Sequence, residues 1–303
     1  MRVNAVIVTY NRLDILKLSV ERLLSQTFVI NRIVIVNNAS NDGTQEYLRE
    51  KSSENTSLDI INLDRNMGGA GGFYFGIKRA YELSCDYVWI MDDDTIATEK
   101  ALSRLIDSLE VLKDRRIGFL TSNVLFKDDT PCLMNIPRTV YKWNDFIDKG
   151  IVEISHTSFV AMFIPSKVIQ EVGLPIKDYF IWGDDGEYST RILRAGYSGY
   201  LVGDSTVYHY MKENVGVDIF NTPKERIGRF FYFYRNNTIT DRMRGPKRFI
   251  KRLLYHQYLV LKIIFSRTDH KLYKVCTVIK GTICGMFKRV SIDRVSVMKD
   301  PAL

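Results

Sequence analysis

The sequence predicts an α/β fold: a mostly parallel central sheet flanked by helices, continued by a basic, mainly helical C-terminal region. Short apolar runs alternate with helix-period segments through residues 3–91, and each run ends in a polar, glycine-rich or acidic stretch. Strands buried on both faces read as unbroken apolar runs, and strands separated by helices close into parallel sheets. The other observation is charge: residues 224–303 hold 19 Lys/Arg against 5 Asp/Glu, whereas residues 1–223 hold 24 against 30.

The elements follow in order. VNAVIVT (3–9) is the first strand, and Asp14 to Leu24 has helical spacing, with apolar Ile15, Leu16, Leu18, Leu23 and Leu24. RIVIV (32–36) is the second strand, and Asp42-Gly43-Thr44 opens the next helix. LDIINL (58–63), a helix from Ala70 to Leu83, and DYVWIM (86–91) complete the alternation. Between Ile117 and Tyr210 the pattern is less regular, with short strands near 119–125, 151–154 and 159–164. A helix follows Pro165 and another runs from near Asp185 to Ala195. Beyond Pro223 come the aromatic stretch RFFYFYRNN (229–237) and amphipathic basic helices. One of these, Pro246 to Phe265, has Phe249, Ile250, Leu253, Leu254 and Leu261 on one side, with Lys247, Arg248, Lys251 and Arg252 nearby.

A chain of 303 residues with 46% apolar composition suits one large domain, or a domain plus an appendage. We divide it at residue 223: a catalytic domain over 1–223, with halves of about 1–120 and 121–223, and the basic region over 224–303. The opening apolar run is too short for a signal peptide. The four cysteines, Cys85, Cys132, Cys276 and Cys284, form no CxxC pair, so neither a zinc cage nor a disulfide framework is expected. No stretch reaches the roughly 18 apolar residues of a membrane span. The expected location is cytoplasmic, peripheral at the inner face of the cell membrane. There the basic tail meets anionic lipid, and no nucleic-acid partner is expected. An oligomer contact is the other use open to the tail.

In parallel α/β sheets, ligands gather beyond the carboxyl ends of the strands. Thr9-Tyr10-Asn11-Arg12, Asn37-Asn38, Asp64-Arg65-Asn66 with Gly68-Gly69-Ala70-Gly71-Gly72, and Asp92-Asp93-Asp94 all lie there. Three consecutive carboxylates repel one another, a cost that a divalent cation such as Mg²⁺ or Mn²⁺ removes. In extended backbone Asp92 and Asp94 face one way and Asp93 the other. A second acidic group, Trp182-Gly183-Asp184-Asp185-Gly186-Glu187, opens a helix; one of its carboxylates can take a proton from a hydroxyl, and the Trp can stack on a sugar. His209 ends an apolar segment and can complete an oxygen-rich metal site, whereas His156, His256 and His270 have weaker contexts. The GGAGG segment leaves two uses open: a phosphate cradle at a helix N-terminus, or a close helix–strand contact.

With these residues assembled, the chain resembles the family 2 glycosyltransferases of the GT-A fold, and within them the bacterial galactofuranosyltransferases and rhamnosyltransferases. The resemblance covers roughly residues 3–240 and rests on VTYNR (8–12), VNNASNDGT (36–44), NMGGAGGF (66–73), MDDDT (91–95), WGDDGE (182–187) and His209. It implies an inverting, metal-dependent transfer of a sugar from a nucleotide diphosphate to a lipid-linked or cell-surface glycan. The first expected donor is UDP-galactofuranose and the second dTDP-rhamnose. Asp92, Asp94 and His209 are then the ligands of Mn²⁺ or Mg²⁺, and Asp93 a contact to donor ribose or sugar. Thr9, Tyr10, Arg12, Asn37, Asn38, Arg65, Asn66 and Gly69 belong to the donor site. Asp185 is the general base with Asp184 beside it, and Trp182 and Glu187 belong to the acceptor site. The family often has Asp at position 37; Asn keeps an acceptor oxygen but loses the charge, which leaves the choice of base open. A nucleotidyltransferase acting on sugar phosphates would leave the second acidic loop unused. A non-catalytic basic membrane adaptor would leave the Asp triplet without a role.

Overall fold

The computed structural model describes residues 1–296; the last seven residues of the predicted 224–303 region lie outside them. The first half is the predicted alternation: β1 (Val3–Thr9), α1 (Leu13–Leu24), β2 (Arg32–Asn37), α2 (Thr44–Glu54), β3 (Leu58–Asn62), α3 (Gly68–Glu82) and β4 (Tyr87–Asp92). The apolar runs are unbroken because both faces are covered. Val3, Ala5 and Ile7 point into a core with Leu16, Val20 and Leu23 of α1, whereas Val6 and Val8 point into a second core with Phe73 and Ile77 of α3. This is the two-residue period of a strand reporting to two layers. α3 lies against β1 so closely that a Cβ at Gly72 would sit 2.3 Å from Val8 Cγ1.

The elements that follow are β5 (Thr95–Ala97), α4 (Ala101–Val111), β6 (Ile117–Phe126), β7 (Arg138–Thr139), β8 (Ile151–His156), β9 (Met162–Pro165), α5 (Ser166–Val172), α6 (Asp184–Arg194) and β10 (Ser198–His209). The strand order is β3-β2-β1-β4-β9-β6-β10-β8-β7, with β5 pairing β10. Parallel pairing holds across β3-β2-β1-β4 and between β6 and β10; β9, β8, β7 and β5 join antiparallel, so the sheet as a whole is mixed. β10 is longer than the apolar segment suggested. Its pairing with β6 shifts register between Val202 and Thr206, around Gly203-Asp204-Ser205, which breaks the alternation that marks a strand in sequence.

The C-terminal region is helical: α7 (Lys224–Ile227), α8 (Phe230–Met243), α9 (Pro246–Phe265) and α10 (Lys271–Phe287). Phe230, Tyr234, Leu259, Ile263 and Val278 form its core, and Trp182 packs against it from the sheet domain. The chain then returns to the first domain. Leu174 N–H donates to Asp293 O at 2.8 Å, and Tyr74 Oη and Lys177 Nζ each donate to the Asp293 carboxylate at 2.8 Å. No helix of the described residues is long and apolar enough to cross a membrane. α9 and α10 carry no Asp or Glu, yet present exposed Ile250, Leu254, Tyr258, Leu261, Phe265 and Phe287.

Candidate active site

The Asp triplet lies where β4 ends, and residues 93–94 form a turn before β5 rather than continuing extended. That turn still separates the carboxylates as expected. Asp92 and Asp94 join His209 in a group whose candidate ligand atoms lie within 4.8 Å of one another, while Asp93 turns to Thr9 and Arg12. His209, 115 positions downstream of Asp94 in the chain, arrives by sheet pairing: it sits opposite Thr95 in the β5–β10 ladder, and Tyr210 N–H donates to Asp94 O at 2.8 Å. His209 Nε2 is 3.1 Å from Asp94 Oδ1. Its Nδ1 is 2.7 Å from Asn135 Oδ1, which accepts the ring N–H and leaves Nε2 turned to the carboxylates. A partner on the far nitrogen is how ligating imidazoles are oriented. Two carboxylates and one imidazole converging in this way fit a divalent cation of the Mn²⁺ or Mg²⁺ type.

The electrostatics record the strain of holding these acids together. Burial and the charge of Asp94 push Asp92 up to about 7, and the same two causes push Asp93 up to about 6 against the pull of Arg12 and Thr9. Asp94 goes the other way: burial opposes its charge, but hydrogen bonds and charge from His209 and Arg12 outweigh it. Thr9 Oγ1 donates to Asp93 Oδ2 at 2.7 Å, and Arg12 bonds both Asp93 and Asp94. Arg12, half exposed, is therefore the cation that covers the triplet. Tyr10 beside it is exposed.

The other donor-site candidates gather at the ends of β2 and β3. Asn37 accepts Ser40 N–H at 3.0 Å and donates to Asn62 Oδ1 at 2.9 Å. Asn38 is buried and fully used: it accepts Met67 N–H at 2.7 Å and donates to Gly68 O at 3.0 Å, stapling β2 to the start of α3. Asn66 accepts Gly68 N–H at 2.7 Å, and Arg65 is exposed with its Nε 3.3 Å from Met67 Sδ. The glycine segment divides between its two readings. Gly68 has φ +70°, and a Cβ there would lie 2.0 Å from Phe180 O, so close backbone packing requires it. A Cβ at Gly69 would meet nothing within 4 Å, so this glycine faces open space.

The second acidic group opens α6. The loop before it is held in a sparsely populated conformation, with φ +66° at Phe180, +63° at Trp182 and +85° at Gly183. α8 supplies the restraint. Asn236 Nδ2 donates to Tyr179 O, Ile181 O and Trp182 O at 2.9, 3.1 and 2.7 Å, and an Arg235 amino group donates to Asp178 O and Tyr179 O at 2.8 Å. Neither residue stood out in the sequence, where periodicity carries no sign of a long-range backbone clamp. Burial and the neighbouring Asp185 drive Asp184 far above the ordinary carboxylate range, with Asp92 adding to the effect. Asp185 is raised by burial and drawn down by His156; its Oδ1 accepts Gly186 N–H at 2.6 Å. His156, given little weight in the sequence, ends β8 against this turn: a Cβ on Gly186 would lie 2.9 Å from its Cε1.

Two acceptor-site candidates have other partners. The Trp182 ring meets Phe230 and Phe233 edge-on, at 5.1 and 6.3 Å between centroids. Glu187 is buried, with its carboxylate oxygens bonded by Arg191 at 3.0 and 2.7 Å, a pair that braces the first turns of α6.

Comparison with known proteins agrees with this geometry. Residues 5–128 match the model of glycosyl transferase family 2. Galactofuranosyltransferase GlfT1 of Mycolicibacterium smegmatis is 26% identical over 204 residues, a match covering 63% of this chain and 65% of that protein's length. A Staphylococcus aureus poly-β-1,6-N-acetyl-D-glucosamine synthase is 30% identical over 132 residues, covering 44% of this chain and 31% of the synthase. Among solved structures, GalNAc-T7 with UDP, GalNAc and Mn²⁺ superposes with a TM-score of 0.60 at 16% identity, covering 78% of this chain and 50% of that one. A mannosyltransferase of Pyrobaculum calidifontis in complex with GDP-Man and Mn²⁺ gives 0.54 at 16% identity, covering 92% and 73%. Residues 5–128 therefore match glycosyl transferase family 2, within a chain that has the GT-A fold.

Proposed function

We propose that this protein is an inverting glycosyltransferase that moves galactofuranose from UDP-galactofuranose onto a lipid-linked or cell-surface glycan. The observation that carries the reading is the adjacency of two acidic centres: the Asp92–Asp94–His209 group, and Asp184–Asp185 within electrostatic range of Asp92. The first group suits the diphosphate end of a sugar nucleotide and the second an attacking hydroxyl. Asp92, Asp94 and His209 would hold Mn²⁺ or Mg²⁺, and a cation bound there neutralises the charge that grows on the leaving diphosphate. Arg12 leaves its carboxylates for donor phosphate oxygens, while Asn37, Arg65 and the open face at Gly69 border the nucleoside. Asp185 takes the proton of the acceptor hydroxyl as its oxygen attacks the anomeric carbon, and the bond to the diphosphate breaks on the opposite face. Asp184, raised well above the usual carboxylate range by burial and the charge of Asp185, stands beside that base.

Support for the donor is the likeness to GlfT1, a galactofuranosyltransferase by name; rhamnose from dTDP-rhamnose is the second donor. The exposed apolar face of α9 and α10, flanked by lysine and arginine without any acidic residue, supports a working position on an anionic membrane surface. The deciding experiment measures nucleotide diphosphate release by the purified chain from a panel of UDP- and dTDP-sugars, with Mn²⁺ or EDTA and a lipid-linked acceptor. Metal-dependent UDP release from UDP-galactofuranose, lost about 10²–10⁴-fold in Asp185→Asn, supports donor and base together. Full activity in Asp185→Asn would remove the assigned base, and silence across the panel without donor binding would remove the reaction.

A further inference from the structure

Beyond α10 the chain leaves the helices, where Arg242 of α8 donates to Met286 O and Lys288 O, and residues 288–296 run as an irregular strap onto the sheet domain. The strap docks on the peptide Val172-Gly173-Leu174. Leu174 N–H donates to Asp293 O at 2.8 Å, and Gly173, at φ +83°, is approached so closely that a Cβ there would sit 2.8 Å from both Asp293 O and Ile292 Cγ2. α6 grips the same peptide by its carbonyls. Arg191 Nη1 donates to Val172 O and Leu174 O at 2.8 and 3.0 Å, and Tyr188 Oη donates to Gly173 O at 3.1 Å. Arg191 also holds Glu187, in the first turn of the helix that Asp184 and Asp185 open. The Asp293 carboxylate reaches the donor side as well, accepting Tyr74 Oη of α3 and Lys177 Nζ at 2.8 Å each. Val290 and Ile292 pack where Ala70 of α3, Ile176, Tyr179 and Ile239 of α8 meet. The side chains of Asp293 and Lys177 are 35% and 36% exposed, so their ion pair adds little to global stability. What it fixes is the placement of α3 against the peptide that α6 holds.

We propose that Asp293 is a positioning residue for the transfer: by tying α3 to the Val172–Leu174 peptide under α6, it sets the spacing between the donor loop at Gly68–Gly69 and Asp185. This role rests on Asp185 being the base. Asp293 touches neither substrate; it acts through Tyr74 on one side and through Leu174 and Arg191 on the other. The working unit accordingly runs past residue 223 and is complete only when the strap is seated.

The test compares the full chain with Asp293→Ala, Asp293→Asn and, as a control on the same strap, Arg294→Ala, whose side chain is exposed. Hydrogen–deuterium exchange without substrate reads the strap itself. Residues 172–186 of Asp293→Ala should exchange about tenfold faster than in the parent, while β1 to β4 keep their protection. Transfer kinetics read position: kcat should fall about tenfold or more with the donor KM within about twofold, because the donor ligands are untouched and the base is displaced. Asp293→Asn keeps an acceptor for Tyr74 and Lys177 and should recover most of the loss, and Arg294→Ala should match the parent. Unchanged exchange at 172–186 in Asp293→Ala overturns the hold of the strap. Faster exchange there with unchanged kcat makes the strap a structural tie alone and overturns the positioning role. Should Asp293→Ala fail to fold, Tyr74→Phe removes a single hydroxyl from the same junction; its kcat should fall about threefold, and an unchanged kcat overturns the role. A parent that transfers no sugar refutes the reading of Asp185 and the role of Asp293 with it; the exchange arm, which needs no substrate, tells that failure from failure of the strap.

Discussion

Asn236 offers a sharp test of how the acidic turn before α6 is held. Its side-chain amide has two N–H groups shared among three carbonyls, that of buried Tyr179 and those of part-buried Ile181 and Trp182. Asn236→Ala removes both donors, at about 1 kcal/mol each for a hydrogen bond, and leaves the part-buried carbonyls of Ile181 and Trp182 without that partner at a further 1–3 kcal/mol, whereas Tyr179 O keeps Arg235 and Ile181 N–H. The total is about 3–5 kcal/mol if the loop stays in place. The loop has reason not to stay, because Phe180 and Trp182 sit at positive φ and gain free energy on relaxing. Relaxation recovers stability but displaces Asp185, and a shift of about 1 Å at a reacting group costs on the order of 10²-fold in rate. Asn236→Asp is nearly isosteric yet turns a carboxylate toward the carbonyls, so it ranks below Asn236→Ala in stability. Urea denaturation and transfer rates on the three proteins provide the measurement. An alanine variant within 0.5 kcal/mol and twofold in rate of the parent, or an aspartate variant as stable as the parent, refutes the clamp.

Three further outcomes are expected. Gly68→Ala would place a methyl 2.0 Å from Phe180 O at positive φ and should destabilise by more than about 2 kcal/mol. Gly69→Ala meets open space inside α3 and should stabilise by about 0.5–1 kcal/mol; equal thermal midpoints for the two would contradict the packing assigned to them. Burial raises Asp185, so its ionised fraction falls on acidification sooner than that of an ordinary aspartate; transfer should decline as pH drops toward the raised value, and activity held flat through pH 4 would exclude it as the base. Replacing Leu254, Leu261 and Phe265 by serine should reduce flotation with anionic vesicles more than tenfold without altering soluble-donor binding, since their exposed side chains contribute nothing to the core.

The parts of the molecule that were legible in the sequence share one property: their signal is local. β1, β2 and β4 are buried on both faces, β3 is a half-buried edge strand, and helices of plain period separate them, so each announces itself within seven residues. The Asp triplet is contiguous, and the acidic turn of α6 lies within six positions. What escaped is made by distant pairing. β10 is interrupted by its register shift, β5 is three residues long, and the antiparallel joining of β9 leaves no trace in an apolar run. Residue type also says nothing of long-range partners: Asn38 is bonded to Met67 and Gly68, and Glu187 to Arg191. Conversely His156 and Asn236 sit in unremarkable sequence and matter because β8 and α8 carry them to Asp185 and its loop.

The clamp of α8 on the loop before α6 has a consequence for the birth of the protein. Trp182 is translated 54 positions before Asn236, and Leu174 is made 119 positions before Asp293, its backbone partner. At about 5–20 residues per second, the loop waits several seconds for the first restraint and longer for the second. During that interval the nucleotide-side strands can already pair, because their partners are all local and already made. The nascent chain therefore passes through a stage at which half of its site is formed and the turn bearing Asp185 is unrestrained. The turn bearing Asp185 is fixed only when the late helices arrive, which ties completion of the candidate site to the same segment that exposes the apolar face of α9 and α10.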